Sequence, residues 1–323
     1  MPKFSDLPHD LHGAVADYLP WPELARLWDA APASRRGITG ALKRTFEHHL
    51  QGTSAMKRGT LEQVAAIAEL GWALSHMNPE DRDERWVEQT RHLANERFSQ
   101  SRDTPLHVAA QSGHARLIAG LVAAGVDANA TNSFGDTALH TAVRSLATEV
   151  VSQLLQSPAV DPNAMGDVGQ TPMHVAASSG SVDILQQMLQ NRRVDRTSTD
   201  FAETPLLCTA AAFGRESVVQ LLLADGFYPD LAGADGNAPL HQASRRGHVH
   251  VAELLLAAGA DPRATNANGD SPARLAAQQG HAAVVECIRH AEHRAVPHHY
   301  GAYLQVGEQV QTPPPARARA ATL

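Results

Sequence analysis

The sequence predicts an all-α solenoid, a row of short helix–turn–helix units with β-turn tips, preceded by a small helical unit. Three observations predict it. First, a short phrase returns six times at intervals of 33 or 34 residues: Thr104-Pro105-Leu106-His107, Thr137-Ala138-Leu139-His140, Thr171-Pro172-Met173-His174, Thr204-Pro205-Leu206-Leu207, Ala238-Pro239-Leu240-His241 and Ser271-Pro272-Ala273-Arg274. A period that short describes one supersecondary element, which buries its apolar face by stacking on its neighbours. Second, small residues and then an apolar run follow each phrase, and in five of the six a glycine separates them (Gly113, Gly180, Gly214, Gly247, Gly280). Third, the first forty residues carry more apolar side chains at helical spacing than so short a stretch hides by itself.

Each part of the unit has a mechanical reason. Threonine at the cap can accept from the first-turn amides, and proline at the first helical position gives up an N–H that would have no partner there. Small residues such as Ala109-Ala110 and Ala176-Ala177 let helices approach closely, and the glycine permits a positive φ at the turn. Stretches such as Ser133-Phe134-Gly135-Asp136, Asp167-Val168-Gly169-Gln170 and Ala234-Asp235-Gly236-Asn237 supply projecting turns. The phrase histidines His107, His140, His174 and His241 are expected to bridge backbone groups between repeats.

Two departures show by counting. Thr204 to Gly214 is one residue longer than its counterparts, which places an extra residue in or just before the fourth repeat's first helix. The second repeat has Leu146 where glycine is expected and an extra residue around Ser157-Pro158-Ala159.

With its T-P-L-H phrase, turn glycine and closing apolar run, residues 101–294 resemble ankyrin repeats. The resemblance implies a recognition scaffold, with partners held by the projecting turns and the adjoining first helices. The side chains free to choose a target are expected to include Phe134, Asp136, Arg144, Asp167, Val168, Phe201, Glu203, Phe213, Asp235, Arg245 and Arg246. Phe213 has a second reading, as filler beside the fourth repeat's extra residue.

Ahead of the array, Lys57-Arg58-Gly59 followed by Leu61, Val64, Ile67 and Gly71 keeps the second half of the pattern without the phrase. Residues 45–103 are therefore expected to hold a degenerate terminal unit and an inserted helix. That helix would start near Asn78-Pro79-Glu80 and carry Trp86, Val87, Leu93, Ala94 and Phe98 on its apolar stripe.

At the start of the chain, Leu7-Pro8-His9-Asp10-Leu11, Val15, Tyr18-Leu19-Pro20, Leu24 and Leu27 suit two short helices. Their order over residues 4–44 resembles an F-box, a motif that docks on the Skp-type linker subunit of cullin ubiquitin ligases. The resemblance implies that Leu7, Pro8, Leu11, Val15, Leu19 and Leu24 make that contact. It departs from the pattern at Ala30-Ala31-Pro32-Ala33-Ser34. The competing reading is a helical cap for the solenoid.

Composition bounds the rest. A formal charge of −7 over 323 residues offers no chain-wide attraction to nucleic acid or anionic membrane. No apolar run is long enough to span a bilayer and no signal-peptide core follows Met1, so a cytoplasmic monomer is expected. Cys208 and Cys287 read as small core residues of a reducing compartment. Phosphate-loop, nucleophile-elbow and zinc-protease motifs are absent. The expectation is therefore no enzyme, with no catalytic residue, metal or cofactor.

Arginine outnumbers lysine 24 to 3, as in proteins from high-GC genomes. In a bacterium, which lacks cullin ligases, an F-box protein would be an effector delivered into a eukaryotic host. The rival reading is an ankyrin scaffold or inhibitor working in its own cell. Residues 295–323, with Pro313-Pro314-Pro315, show no period and are expected to be disordered.

Overall fold

The computed structural model describes residues 50–51, 60–76, 83–98, 100–166 and 169–294. The F-box-like stretch 1–44, with Leu7, Pro8, Leu11, Val15, Leu19 and Leu24, lies outside the described residues. So do the tail 295–323, Asp167 and Val168.

Two helices lead the array, α1 (Leu61–His76) and α2 (Glu84–Ala94). Six pairs follow: α3 (Pro105–Gln111) with α4 (Ala115–Ala123), α5 (Ala138–Arg144) with α6 (Thr148–Gln156), and α7 (Pro172–Ser179) with α8 (Val182–Gln190). After these come α9 (Leu206–Ala212) with α10 (Glu216–Ala224), α11 (Pro239–Arg246) with α12 (Val249–Ala257), and α13 (Pro272–Gln278) with α14 (Ala282–Arg294). First helices stack on first helices and second on second, so the core is one continuous strip between the two rows. The leucine position of the phrase fills it with Leu106, Leu139, Met173, Leu207 and Leu240. The second helices add Leu121, Leu154, Met188, Leu222, Leu255 and Ile288. Each such side chain, taken out of water, contributes roughly 2 kcal/mol.

That stacking fixes the fourth repeat's register one residue later than the sequence suggests. Pro205, not Thr204, sits at the N-cap of α9, so Leu207 fills the leucine position and Cys208 the histidine position. The fourth repeat therefore has no insertion before its turn glycine. The extra residue belongs to the third repeat, at Asn191-Arg192-Arg193, and it repeats what Ser157-Pro158-Ala159 does in the second. Both second helices end in an extended C-cap residue, Ser157 or Asn191, where the first, fourth and fifth repeats turn through Gly125, Gly226 or Gly259 at positive φ. Leu146 takes the left-handed turn conformation in place of glycine, at φ 56°.

The leading helices differ from expectation at Gly71. Gly71 ends no helix. It lies inside α1, where a Cβ would stand 2.1 Å from the Gly120 carbonyl oxygen of α4. Gly120 faces Ala68 as closely, a Cβ there falling 2.2 Å from the Ala68 carbonyl oxygen. The two glycines thus let the α1 and α4 backbones touch. Helix α2 begins at Glu84, where Asp83 caps it, accepting from the Arg85 N–H at 2.8 Å, and the expected start at Asn78-Pro79-Glu80 lies outside the described residues. Trp86, Leu93 and Ala94 are buried on its inner face, and Phe98 beyond it is buried too.

Candidate binding surface

The polar atoms of the repeat phrase are spent inside the array. His107 Nδ1 accepts from the Thr104 N–H at 3.2 Å, which leaves the proton on Nε2, and Nε2 donates to the Asp136 carbonyl of the next repeat at 2.9 Å. His140 does the same between Thr137 and the Gln170 carbonyl. His174 reaches the Thr204 carbonyl at 3.2 Å, and His241 joins the Ala238 N–H to the Asp270 carbonyl. The cap hydroxyls of Thr104, Thr137 and Thr171 lie 2.8–2.9 Å from the ring Nδ1, so their main partner is the imidazole and not a first-turn amide. Burial holds all four histidines below the ordinary imidazole pKa, against the carbonyl bonds that raise it.

Cys208 explains itself in this register. Pro205 at the cap has no N–H to offer a histidine Nδ1, and a thiol needs none. Its Sγ donates to the carbonyls of Leu231 at 3.4 Å and Asn237 at 3.5 Å, the latter being the equivalent of His107's acceptor. Burial pushes the thiol's pKa far above the ordinary cysteine range, so it is a buried packing group.

A second ladder ties the closing turns. Asn95 accepts from the Asp127 N–H and donates to the Gly125 carbonyl. Asn129 bridges Asp161 and Ala159 in the same way, and Asn163 bridges Asp195 and Arg193. Helix α2 thus joins the array through Asn95, the first rung. The Arg193 guanidinium adds bonds to the carbonyls of Leu155, Ser157 and Val160, closing the second repeat's glycine-free turn. At the next joint Thr197 stands where the asparagine would be. Arg196 pairs there with Asp225 and lies 5.8 Å over the Phe227 ring.

What remains outside these ladders is the candidate surface. Phe134 is 66 % exposed and Phe201 67 % exposed at the tips of their turns, and Phe201 also lies across the backbone of Gly169 in the preceding turn. Phe213 is 52 % exposed at the C-cap of α9, with no inserted residue beside it to make a gap. Arg144, Glu203, Asp235, Arg245 and Arg246 are exposed. Asp136 is not free to meet a target: it is buried and closed on Arg144 by two hydrogen bonds, at 2.9 and 3.3 Å. Asp235 holds its own turn through the Asn237 N–H.

Sequence reasoning passed over Tyr228, 64 % exposed, and Leu231. The signal was in the repeat register: Tyr228 stands where the other repeats have Asp127, Asp161, Asp195 and Asp261. Among the described residues no three metal-ligating side chains converge, and no helix is long and apolar enough to cross a membrane.

Paired helices, projecting turns and a shared histidine bond between neighbours define a repeat solenoid of the recognition type. The family model described as "Ankyrin repeats (3 copies)" matches residues 87–166, 106–200, 148–232 and 207–296, together more than half of the chain. The chain belongs to the ankyrin-repeat family, whose arrays are protein–protein interaction modules and bind protein partners.

Among solved structures, the ankyrin repeat domain of Bcl-3, described as a unique member of the IkappaB protein family, is similar at 27% identity and a TM-score of 0.53. The match covers 58% of this chain and 86% of that one. An ankyrin repeat domain from Acinetobacter baumannii AYE is similar at 26% identity and a TM-score of 0.51, over 58% of this chain and 97% of that one. No curated protein sequence matches.

Proposed function

We propose that this protein is an adaptor: residues 104–294 hold a target protein, and residues 1–44 dock on a Skp-type linker subunit of a cullin ubiquitin ligase. The observation that carries the first half is the separation of polar roles. The phrase histidines and the asparagine ladder are consumed between repeats, whereas the rings of Phe134 and Phe201 stay largely exposed on the tips, Phe201 with one contact against Gly169. Aromatic anchors beside charged neighbours are the composition of a binding hot spot. The second half rests on the order of Leu7, Pro8, Leu11, Val15, Leu19 and Leu24. Residues 45–103 join the two parts and residues 295–323 form a tail. In a bacterium, where no such ligase exists, the same reading makes the protein an effector acting in a eukaryotic cell.

Co-purification with a eukaryotic Skp-type subunit tests the adaptor reading. Leu7→Ala with Pro8→Ala removes two apolar anchors, each worth roughly 2–4 kcal/mol at an interface centre. The double variant should lose the subunit while the thermal melt of the repeats stays in place. Retained co-purification rejects the F-box-like assignment. A collapsed melt instead makes the segment a cap, and the protein a scaffold without a ubiquitin link. Phe134→Ala with Phe201→Ala should weaken target capture at least tenfold, about 1.4 kcal/mol.

A further inference from the structure

In the connections at the edge of the array where the first helices end, one sign of charge is missing; the nearest carboxylates, Glu149, Asp183 and Glu216, belong to the first turns of the second helices. The residues leading from each first helix into the second are Gln111–His114, Arg144–Ala147, Ser178–Ser181, Ala212–Arg215, Arg245–His248 and Gln278–His281. They include no aspartate or glutamate. The C-terminal half of this edge is laced into one ridge. Arg215 Nε donates to the Ser178 carbonyl at 2.7 Å, and His248 Nε2 lies 3.1 Å from the Ala212 carbonyl. His281 lies against Gly247.

In the middle of the ridge stands Phe213, at a repeat position that Ser112, Ser145 and Ser179 occupy in the first three repeats, the first two also as C-caps. Arg245 and Arg246 follow in the next repeat. Arg245 donates to Gln242 Oε1 at 2.9 Å, and among the described residues neither arginine is paired with a carboxylate. Arg144 and Arg274, by contrast, are closed on Asp136 and Asp270.

We propose that this edge, centred on Phe213, Arg215, Arg245 and Arg246, docks an acidic segment of a partner protein that carries an apolar anchor. The proposal rests on the array being the target-binding part and names the chemistry of the target. Charge complementarity selects the occupant: cations without carboxylate partners flank an exposed ring on a ridge that its own hydrogen bonds preform. Arginines at a helix C-terminus also relieve the helix dipole, which accounts for Arg245 and Arg246 but not for the aromatic beside them. A long polyanion fits poorly. Glu203 and Asp235 stand in the turns at the opposite ends of the same row of helices and would repel it, whereas a short acidic segment reaches neither and passes a single carboxylate beside the ridge's centre, Glu216.

The test uses the full chain and a labelled synthetic peptide of glutamates around one tryptophan, followed by fluorescence anisotropy. Arg245→Glu with Arg246→Glu, and separately Phe213→Ser, should each weaken binding about tenfold or more with an unchanged melting midpoint. A glutamine version of the peptide should bind as weakly. If charge reversal lowers the midpoint, Arg245→Gln with Arg246→Gln provides the same readout. Undiminished binding by the arginine variants overturns the proposal. So does duplex DNA that displaces the peptide while Phe213→Ser has no effect, because the ridge is then a polyanion site. Loss of peptide with Phe134→Ala and Phe201→Ala, but not with the edge variants, overturns the edge and leaves the target-binding array standing. Binding that survives every variant rejects both. Leu7→Ala with Pro8→Ala should leave the peptide titration untouched whatever becomes of the Skp-type interaction.

Discussion

The joint between α1 and α4 and the joints between repeats solve one problem with different physics. Helix α1 sits on α4 by shape: Gly71 and Gly120 bring two backbones together, and Val64, Ile67 and Leu70 bury against the core. The repeat joints add buried polar atoms to their apolar strip, mostly an imidazole below one phrase and an asparagine or arginine below one closing turn, with Cys208 and Asp230 in those places after the fourth repeat. Shape contacts are indifferent to pH. An imidazole bond is not.

Acid should therefore separate the two kinds of joint, and this is the largest effect expected. His107, His140, His174 and His241 have folded pKa values lowered by burial. A lowered histidine pKa means that the unfolded chain takes up protons first. Stability is then fully present above about pH 6.5 and is lost as pH falls below it. The slope is at most about 1.4 kcal/mol per pH unit for each histidine, about 5.5 for the four together. Urea melts between pH 7.5 and 5.5 read it directly. His140→Gln should flatten the slope by one histidine's share. An unchanged slope would mean that His140 does not titrate with unfolding.

Next in size is Gly71→Ala. A methyl placed 2.1 Å from the Gly120 carbonyl forces α1 off α4, for a loss of about 3 kcal/mol. Gly226→Ala is the matched control: its φ is 87° and nothing lies near its added methyl, so the conformational strain of about 1 kcal/mol is the whole cost. Equal destabilisation of the two variants would show that α1 does not depend on the close crossing.

The same contrast governs what the sequence reveals. Repeat joints reuse one set of atoms every 33 or 34 residues, so the period advertises them, and the phrase histidines could be assigned their bridging role from sequence. The α1 joint occurs once. A lone glycine does not say whether it bends a chain or admits a neighbour, and Gly71 was legible only as the former. The fourth repeat misleads for a related reason. Thr204-Pro205 copies the phrase, but Leu207 takes the place of Leu106 and Leu139 while Leu206, buried too, takes that of Pro105, and Cys208 becomes recognisable as the histidine's substitute once packing has set the register. Among the candidate target residues, Asp136 reads as a tip residue and is buried because Arg144, eight positions on, folds back over it.

Within the repeats, Arg193 distinguishes the glycine-free closing turns from the others. It holds three carbonyls of the second repeat, so Arg193→Ala should cost about 2 kcal/mol, while exposed Arg192→Ala stays within about 0.5 kcal/mol. Chemical denaturation of the two variants side by side checks this. A negligible effect at both positions would place the turn's stability in Val160 and Val194, which are buried beside it.

The smallest effect tests the ladder against its own exception. Asp230 occupies a rung and accepts from the Asp261 N–H at 2.9 Å, as Asn95, Asn129 and Asn163 do from theirs. A carboxylate cannot make the second, donating bond that completes the asparagine rungs. Burial, with the nearby Asp261 charge adding to it, raises the Asp230 pKa. A carboxyl whose folded pKa is raised binds its proton more tightly in the folded state. Its charge therefore weighs against folding above that pKa, and the penalty fades as pH falls through it. Asp230→Asn should stabilise the protein by about 0.5–1 kcal/mol at pH 7 through the restored donor and the removed charge. The gain over the parent should shrink as pH falls toward 4, a difference in which the contributions of His107, His140 and His174 cancel, while loss of the Asp230 charge that favours protonated His241 adds to the shrinkage. A variant no more stable than its parent at pH 7 would mean that the fourth rung is held by its acceptor bond alone, and that the donating half of the ladder adds little at the other three.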